Sequence, residues 1–113
     1  MKQYAFTIKL RNDKTSIEEY RRYHANVWPE VKEALRRVGV KHMKTYLLGD
    51  RLFTIIEASD AFNPMEDLRS YADSPKVREW DRKMAGLQIP VDEAREGGWA
   101  MMELVYDDGW PAR

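Results

Sequence analysis

The sequence of 113 residues contains no cysteine. A disulfide framework and a thiolate nucleophile are therefore excluded, and nothing calls for an oxidising compartment. There is no excess of either charge, because 19 Lys and Arg balance 19 Asp and Glu. Nucleic acid and anionic membrane surfaces are disfavoured as main partners, since binding to either rests on a basic surface. No apolar run approaches the roughly 20 residues of a membrane span. The N-terminal MKQYAFTIKL alternates apolar and polar residues and lacks the continuous apolar core of a signal peptide. The expectation is a cytoplasmic protein. Histidine is scarce too, at two residues, with no HxH or HExxH spacing. A metal centre is thereby poorly supplied with ligands. No serine stands in a GxSxG turn, and Gly97-Gly98 precede a strand-like run rather than a helix, so neither a nucleophile elbow nor a phosphate loop is present.

What the chain does have is aromatic side chains, 12% of residues with four tryptophans among them. They are distributed over a legible series of elements. YAFTIKL alternates with period two, placing Tyr4, Phe6, Ile8 and Leu10 on one face of a first strand. Ser16 with Glu19 three residues on has the spacing of a capping box, which predicts a helix from about Ile17. Pro29 interrupts it, because the residue before a proline is biased away from helix; Trp28 marks the break. A second helical stretch carries Val31, Ala34, Leu35 and Val38 and ends at Gly39.

HMKTYLL and RLFTIIEA flank Gly49-Asp50, a two-residue hairpin signal. Counting outward from Leu48 and Arg51 pairs Tyr46 with Phe53, Thr45 with Thr54, Met43 with Ile56 and His42 with Glu57. Asn63-Pro64 and Ser74-Pro75 each open a helix, the first carrying Met65, Leu68 and Tyr71, the second Val77, Trp80 and Met84. Residues 87–97 read as a loop, WAMMELVY as the last strand, and residues 107–113 as a short tail. Without repeat or linker, residues 1–113 read as a single domain.

The order β, broken α, β, β, α, β is the split pattern of an α+β, ferredoxin-like fold with an antiparallel sheet. Helices on one side of such a sheet leave the other to solvent, and that face should be polar. Here both faces are apolar: Leu47, Leu52 and Ile56 on one, Tyr46, Phe53 and Ile55 on the other. A homodimer through the sheet face would cover the second.

His24 has two readings: a half-buried helix histidine bonded to a carbonyl or water, or a general acid/base, since imidazole titrates near neutrality. Tyr20 lies four residues before it on the same helix face. Trp80 and Asp81 of the later helix, Trp28 at the break, and Met43 and Thr45 of the sheet could converge on these two. Aromatic walls with hydroxyl, carboxylate and imidazole suit a small polar ligand with one apolar face, such as a monosaccharide; plain helix-to-sheet packing explains the aromatics equally well.

These residues carry a resemblance. EEYRRYHANVWPE is close to the E-Y-x-x-x-H-x-x-x-W-P-E pattern of the L-rhamnose mutarotase family, and GVKHMKTYLLGDRLFTIIEA, VREWDRKM and MELVYD follow in the family's order. The resemblance covers roughly residues 2–107. It implies a dimeric α/β barrel that interconverts the anomers of a deoxy-hexose, most simply L-rhamnose, with no metal or organic cofactor. It implies that His24 is the catalytic proton donor, that Tyr20 binds substrate, and that Trp80 stands as the first of a tandem tryptophan pair. The second tryptophan of that pair is Asp81 here, and a substrate-contacting tyrosine on the sheet is Met43 here. The alternatives are L-fucose or another sugar on the same mechanism, a cofactor-free dimeric-barrel monooxygenase, and a non-catalytic binding module.

Overall fold

The computed structural model describes residues 1–94 and 98–111. Its elements run β1 (Lys2–Leu10), α1 (Lys14–His24), α2 (Pro29–Arg37), β2 (Val40–Leu48), β3 (Arg51–Ala58), α3 (Pro64–Ser70), α4 (Pro75–Leu87), β4 (Gln88–Ile89) and β5 (Ala100–Met102). The antiparallel sheet has the order β2-β3-β1-β4, with β5 also on β1. This is the expected α+β, ferredoxin-like arrangement.

The hairpin register is the one counted from sequence: Leu48 opposite Arg51, Tyr46 opposite Phe53, Thr45 opposite Thr54, Met43 opposite Ile56, His42 opposite Glu57. Its turn has one residue in the left-handed region, Gly49 at φ 61°. A single positive φ at the first turn position is the signature of a type II′ hairpin, and glycine adopts it without a Cβ clash. Gly39, at φ 110°, ends α2 where a Cβ would come within 2.9 Å of Ser59 Oγ.

Three expectations need correction. The first helix begins a turn earlier than Ile17. Asp13 is its N-cap, accepting from the Ser16 N–H at 2.8 Å and the Ser16 hydroxyl at 3.0 Å. Ser16 is thus the capped residue rather than the cap, and Glu19 faces Arg22 on the surface. The stretch after α4 is not all loop: Gln88 and Ile89 pair at once with Leu10 and Lys9. Of that stretch, residues 95–97 lie outside the described residues. The last strand is much shorter than WAMMELVY. Only residues 100–102 pair, with Thr7, Phe6 and Ala5; β4 on the same edge of β1 at Lys9 and Leu10 limits the strand at its start, and the ladder ends after Met102. The helix opened by Asn63-Pro64 is present as α3 with Asn63 as its N-cap; it buries no residue, and Met65 is 52% exposed.

One face of the sheet carries the core. Ile8, Leu10, Leu52 and Ile56 are buried with Tyr20, Val31, Leu35, Trp80 and Met84 from the helices. On the other face Tyr46, Leu48 and Ile55 are exposed. No helix among the described residues is long and apolar enough to cross a membrane.

Candidate active site

Helix α1 delivers its functional face through ordinary helix periodicity. Tyr20 and His24 are one turn apart, and their rings stack at 4.0 Å with 21° between planes. His24 is the last helical residue. The chain leaves the helix after it, and Trp28, the residue before Pro29, is extended at φ −59° and ψ 136°.

The His24 Nδ1 lies 3.0 Å from the Tyr20 carbonyl oxygen. A carbonyl only accepts, so Nδ1 carries the hydrogen and donates. Nε2 is then the ring atom whose proton comes and goes. Burial lowers the His24 pKa below its ordinary value of 6.5, while the bond to Tyr20 pulls it back up. Burial also pushes the Tyr20 phenol above its ordinary 10, so the hydroxyl keeps its proton.

Behind the imidazole stands Trp80, 5% exposed. It meets His24 edge-on at 5.4 Å, Trp28 at 5.2 Å and Tyr23 at 5.7 Å. Such edge-to-face contacts hold a ring more tightly than burial alone. Lys76 sits over the Trp28 ring at 4.3 Å.

In front of the imidazole is a cleft of about 330 Å³, lined by Tyr20, Arg21 and His24 of α1, by Ala25 just past its end, and from the hairpin by Thr45, Tyr46, Leu47 and Leu52. That is near the lower end of the size range of small-molecule sites. Consecutive strand residues point to opposite faces. A wall made of Thr45, Tyr46 and Leu47 together therefore runs along the edge of β2, not across one face of the sheet. Thr45 is fixed by a hydroxyl bond to Thr54 at 2.9 Å.

The structure thus brings Tyr20 and His24 to the cleft and sets Trp80 and Trp28 behind them as packing. Met43 is half-buried against the core, two residues along β2 from the wall residue Thr45. Asp81 is turned to Tyr71, whose hydroxyl donates to its carboxylate. Burial raises the Asp81 pKa against the lowering effect of that bond, and raises the Tyr71 phenol. Arg21, Ala25, Leu47 and Leu52 were not singled out from sequence. Their signal was available: Arg21 and Ala25 are each one residue beyond Tyr20 and His24, and Leu47 pairs with Leu52 in the counted register. Among the described residues, no three His, Cys, Asp or Glu side chains converge as a metal-binding group.

Comparison with known proteins points to one family. A family model described as L-rhamnose mutarotase matches residues 3–107. A UPF0734 protein of Dictyostelium discoideum is 45% identical over 114 residues, covering 96% of this chain and 91% of the relative. An L-rhamnose mutarotase of Bacillus subtilis is 35% identical over 110 residues, covering 96% and 100%. An L-fucose mutarotase of Xanthomonas campestris is 27% identical over 115 residues, covering 93% and 92%. Among solved structures, an L-rhamnose mutarotase from Formosa agariphila superposes with TM-score 0.67 at 20% identity, over 95% of this chain and 98% of that one. The tetracenomycin F2 cyclase of Streptomyces glaucescens superposes with TM-score 0.70 at 19% identity over the whole of both chains, which extends the fold to a second chemistry. With the family model spanning nearly its full length and curated relatives above 30% identity, the chain belongs to the L-rhamnose mutarotase family.

Proposed function

We propose that the protein is a sugar mutarotase that opens and recloses the ring of a 6-deoxy-hexose, L-rhamnose in the first instance, with His24 Nε2 as the proton-transferring atom. The observation that carries this is the bond between His24 Nδ1 and the Tyr20 carbonyl, which leaves Nε2 as the titrating nitrogen of a ring at the cleft wall. Neutral Nε2 takes the proton of the anomeric hydroxyl as the bond from C1 to the ring oxygen breaks. The imidazolium so formed gives that proton to the ring oxygen. The products are the open-chain aldehyde and a neutral histidine. Rotation about C1–C2 presents the other carbonyl face, and the same steps in reverse close the ring to the other anomer. Net transfer is one proton between two oxygens, so no redox partner enters.

Tyr20 keeps its proton and is a hydroxyl ligand for the sugar. Ala25 and Leu47 offer the apolar contact that a 6-methyl group prefers to a hydroxymethyl. Trp80 and Trp28 support the imidazole from behind, and Asp81 acts through Tyr71 rather than on the sugar. Met43 lies on the same sheet face as Thr45, within reach of a sugar extending past the wall. One core cluster supports residues 1–113 as a single domain ending in a tail from 107, and the apolar outer face of the sheet supports a homodimer.

L-Fucose is the second substrate reading, because an L-fucose mutarotase is among the relatives. The test is NMR saturation transfer between anomeric protons over a panel of free deoxy-hexoses, with wild type and His24→Ala. Exchange should be accelerated for one 6-deoxy-hexose and lost in the variant. Equal rates in the two proteins would remove His24 from the mechanism.

A further inference from the structure

We propose that Arg21 makes the cleft a site for hexoses that carry a carboxylate at C6, so that the protein also opens and recloses the rings of hexuronates. The proposal rests on the mutarotase reading of His24 and names a second substrate class for the same cleft.

Arg21 is placed by helix periodicity. It lies three residues before His24 and four before Ala25, and α1 keeps helical backbone through its C-cap at Ala25, at φ −70° and ψ −19°. The three side chains therefore fall within one stripe of the helix, and all three line the cleft. Arg21 is exposed, and among the described residues its guanidinium has neither a hydrogen bond nor an ion pair. Glu18, the acid one turn before it, faces Lys14 at 4.0 Å instead. A cation in the last turn of a helix complements the helix dipole, a job that Arg22 also does. That job does not require a place at a cleft wall.

The lining is rich in donors and poor in acceptors. Arg21 offers donors only. Tyr20 keeps its proton, and the Thr45 hydroxyl is engaged with Thr54 at 2.9 Å. Among the described residues, no Asp, Glu, Asn or Gln belongs to the lining, so no side-chain carboxylate or amide oxygen is there to accept from a sugar. Each hydroxyl of a neutral sugar brings a hydrogen that needs an acceptor. An ionised carboxylate brings none and only accepts. It also matches the fork of a guanidinium in a bidentate, charge-assisted pair.

The reaction fixes where that carboxylate falls. Nε2 must reach the anomeric hydroxyl and the ring oxygen, and C6 hangs on the carbon next to that oxygen. A group at C6 is therefore held close to His24, among the side chains that flank it. Ala25 and Leu47 offer the apolar side of that place, which suits a 6-methyl group, and Arg21 offers the charged side, which suits a 6-carboxylate. No bond at C6 changes. The proton moves between the anomeric and ring oxygens as in the neutral sugar, and the carboxylate stays ionised throughout near neutral pH.

Two matched pairs of free sugars make the test: L-rhamnose with L-mannuronate, and L-fucose with L-galacturonate. The members of a pair differ only in methyl against carboxylate at C6. Anomer exchange is measured by NMR saturation transfer with wild type, Arg21→Gln and Arg21→Lys. Wild type should accelerate exchange of a uronate. In Arg21→Gln the ratio of kcat/KM for that uronate to kcat/KM for its 6-deoxy partner should fall about 5- to 10-fold, carried by KM, the worth of a charged hydrogen bond discounted for solvent at the cleft mouth. Arg21→Lys should recover part of the ratio, because it keeps the charge and loses the fork. Added salt should raise the uronate KM in wild type, and much less in Arg21→Gln. Two outcomes overturn the proposal and leave the mutarotase reading standing: exchange of the 6-deoxy sugars with no effect on either uronate, or uronate exchange whose ratio to the 6-deoxy partner is the same in Arg21→Gln as in wild type. Exchange of none of the four sugars rejects both readings. Exchange of a uronate with an Arg21-dependent KM, without exchange of its 6-deoxy partner, supports the proposal and removes the 6-deoxy-hexose as first substrate.

Discussion

At the scale of single residues, His24 shows what sequence supplies and what it withholds. Its helical spacing from Tyr20 was legible from a count of four, and so was their shared face. The tautomer was not, because it depends on one 3.0 Å contact to a carbonyl that every helical residue possesses. That contact makes a pH prediction. Burial lowers the His24 pKa from 6.5, so the neutral, proton-accepting form persists below the usual histidine range. The acid limb of the rate profile should therefore fall below pH 6.5, and the rate should rise with pH to a plateau. Stability follows the same sign. Below pH 6.5 the unfolded chain binds a proton at position 24 that the folded chain resists, so stability is lost as pH falls through that window and is full above it. Urea titrations of wild type and His24→Gln should converge above neutrality and diverge below. On catalysis itself, His24→Ala should lower anomer exchange by about 10²- to 10⁴-fold, the usual worth of a positioned acid/base. Asp81 was less legible, since nothing in the spacing announces Tyr71 as its partner across ten residues. Tyr71→Phe removes that donor from a half-buried carboxylate. It should lower stability by about 1–3 kcal/mol in urea unfolding, the cost of leaving such an acceptor unsatisfied. Exchange at saturating sugar should change much less than in His24→Ala.

At the scale of elements, the hairpin was readable residue by residue because its turn leaves no slack. A two-residue loop fixes the register, and every counted pair from Leu48–Arg51 to His42–Glu57 is present. The start of α1 was misread because two residue types compete for one job. Both Asp13 and Ser16 can cap, and the spacing to Glu19 favoured the serine. The structure settles it with two bonds to Asp13. Those bonds, with the Ser16 backbone contribution foremost, also lower the Asp13 pKa. Asp13→Ala should lower the melting temperature at neutral pH, whereas Glu19→Ala should leave it nearly unchanged. The Asp13 difference should persist above the ordinary carboxylate range and vanish as acid titrates the folded-state carboxyl, since the bonds need the charged form. The end of the sheet was illegible for another reason. WAMMELVY has the composition of a strand, but composition does not say how much of it finds a partner. β4 occupies β1 at Lys9 and Leu10, which bounds β5 at its start, and β5 pairs only with Ala5 to Thr7 although β1 runs on to Lys2.

At the scale of the molecule, the sheet has two apolar faces and one layer of helices. The helical layer covers Ile8, Leu52 and Ile56 to about 1% exposure or less, while Tyr46 and Ile55 on the other side remain 53% and 39% exposed. The alternation of apolar residues on both faces of β2 and β3 was visible in the sequence, and it is the basis for a pair of sheets meeting face to face. Such a contact must bury about 1,200–2,000 Å² in total to persist. It has no net charge to oppose it, because acidic and basic residues balance. If the outer faces meet, the melting temperature should rise with protein concentration, since association stabilises the folded chain by mass action. Ile55→Asp places a carboxylate on that face without touching the helical core or the cleft lining. It should convert a dimer to a monomer in sedimentation velocity and abolish the concentration dependence. The residual melting temperature should match that of dilute wild type, because the core beneath Ile8 and Leu52 is unchanged. A variant that sediments as wild type would place the contact elsewhere on the surface.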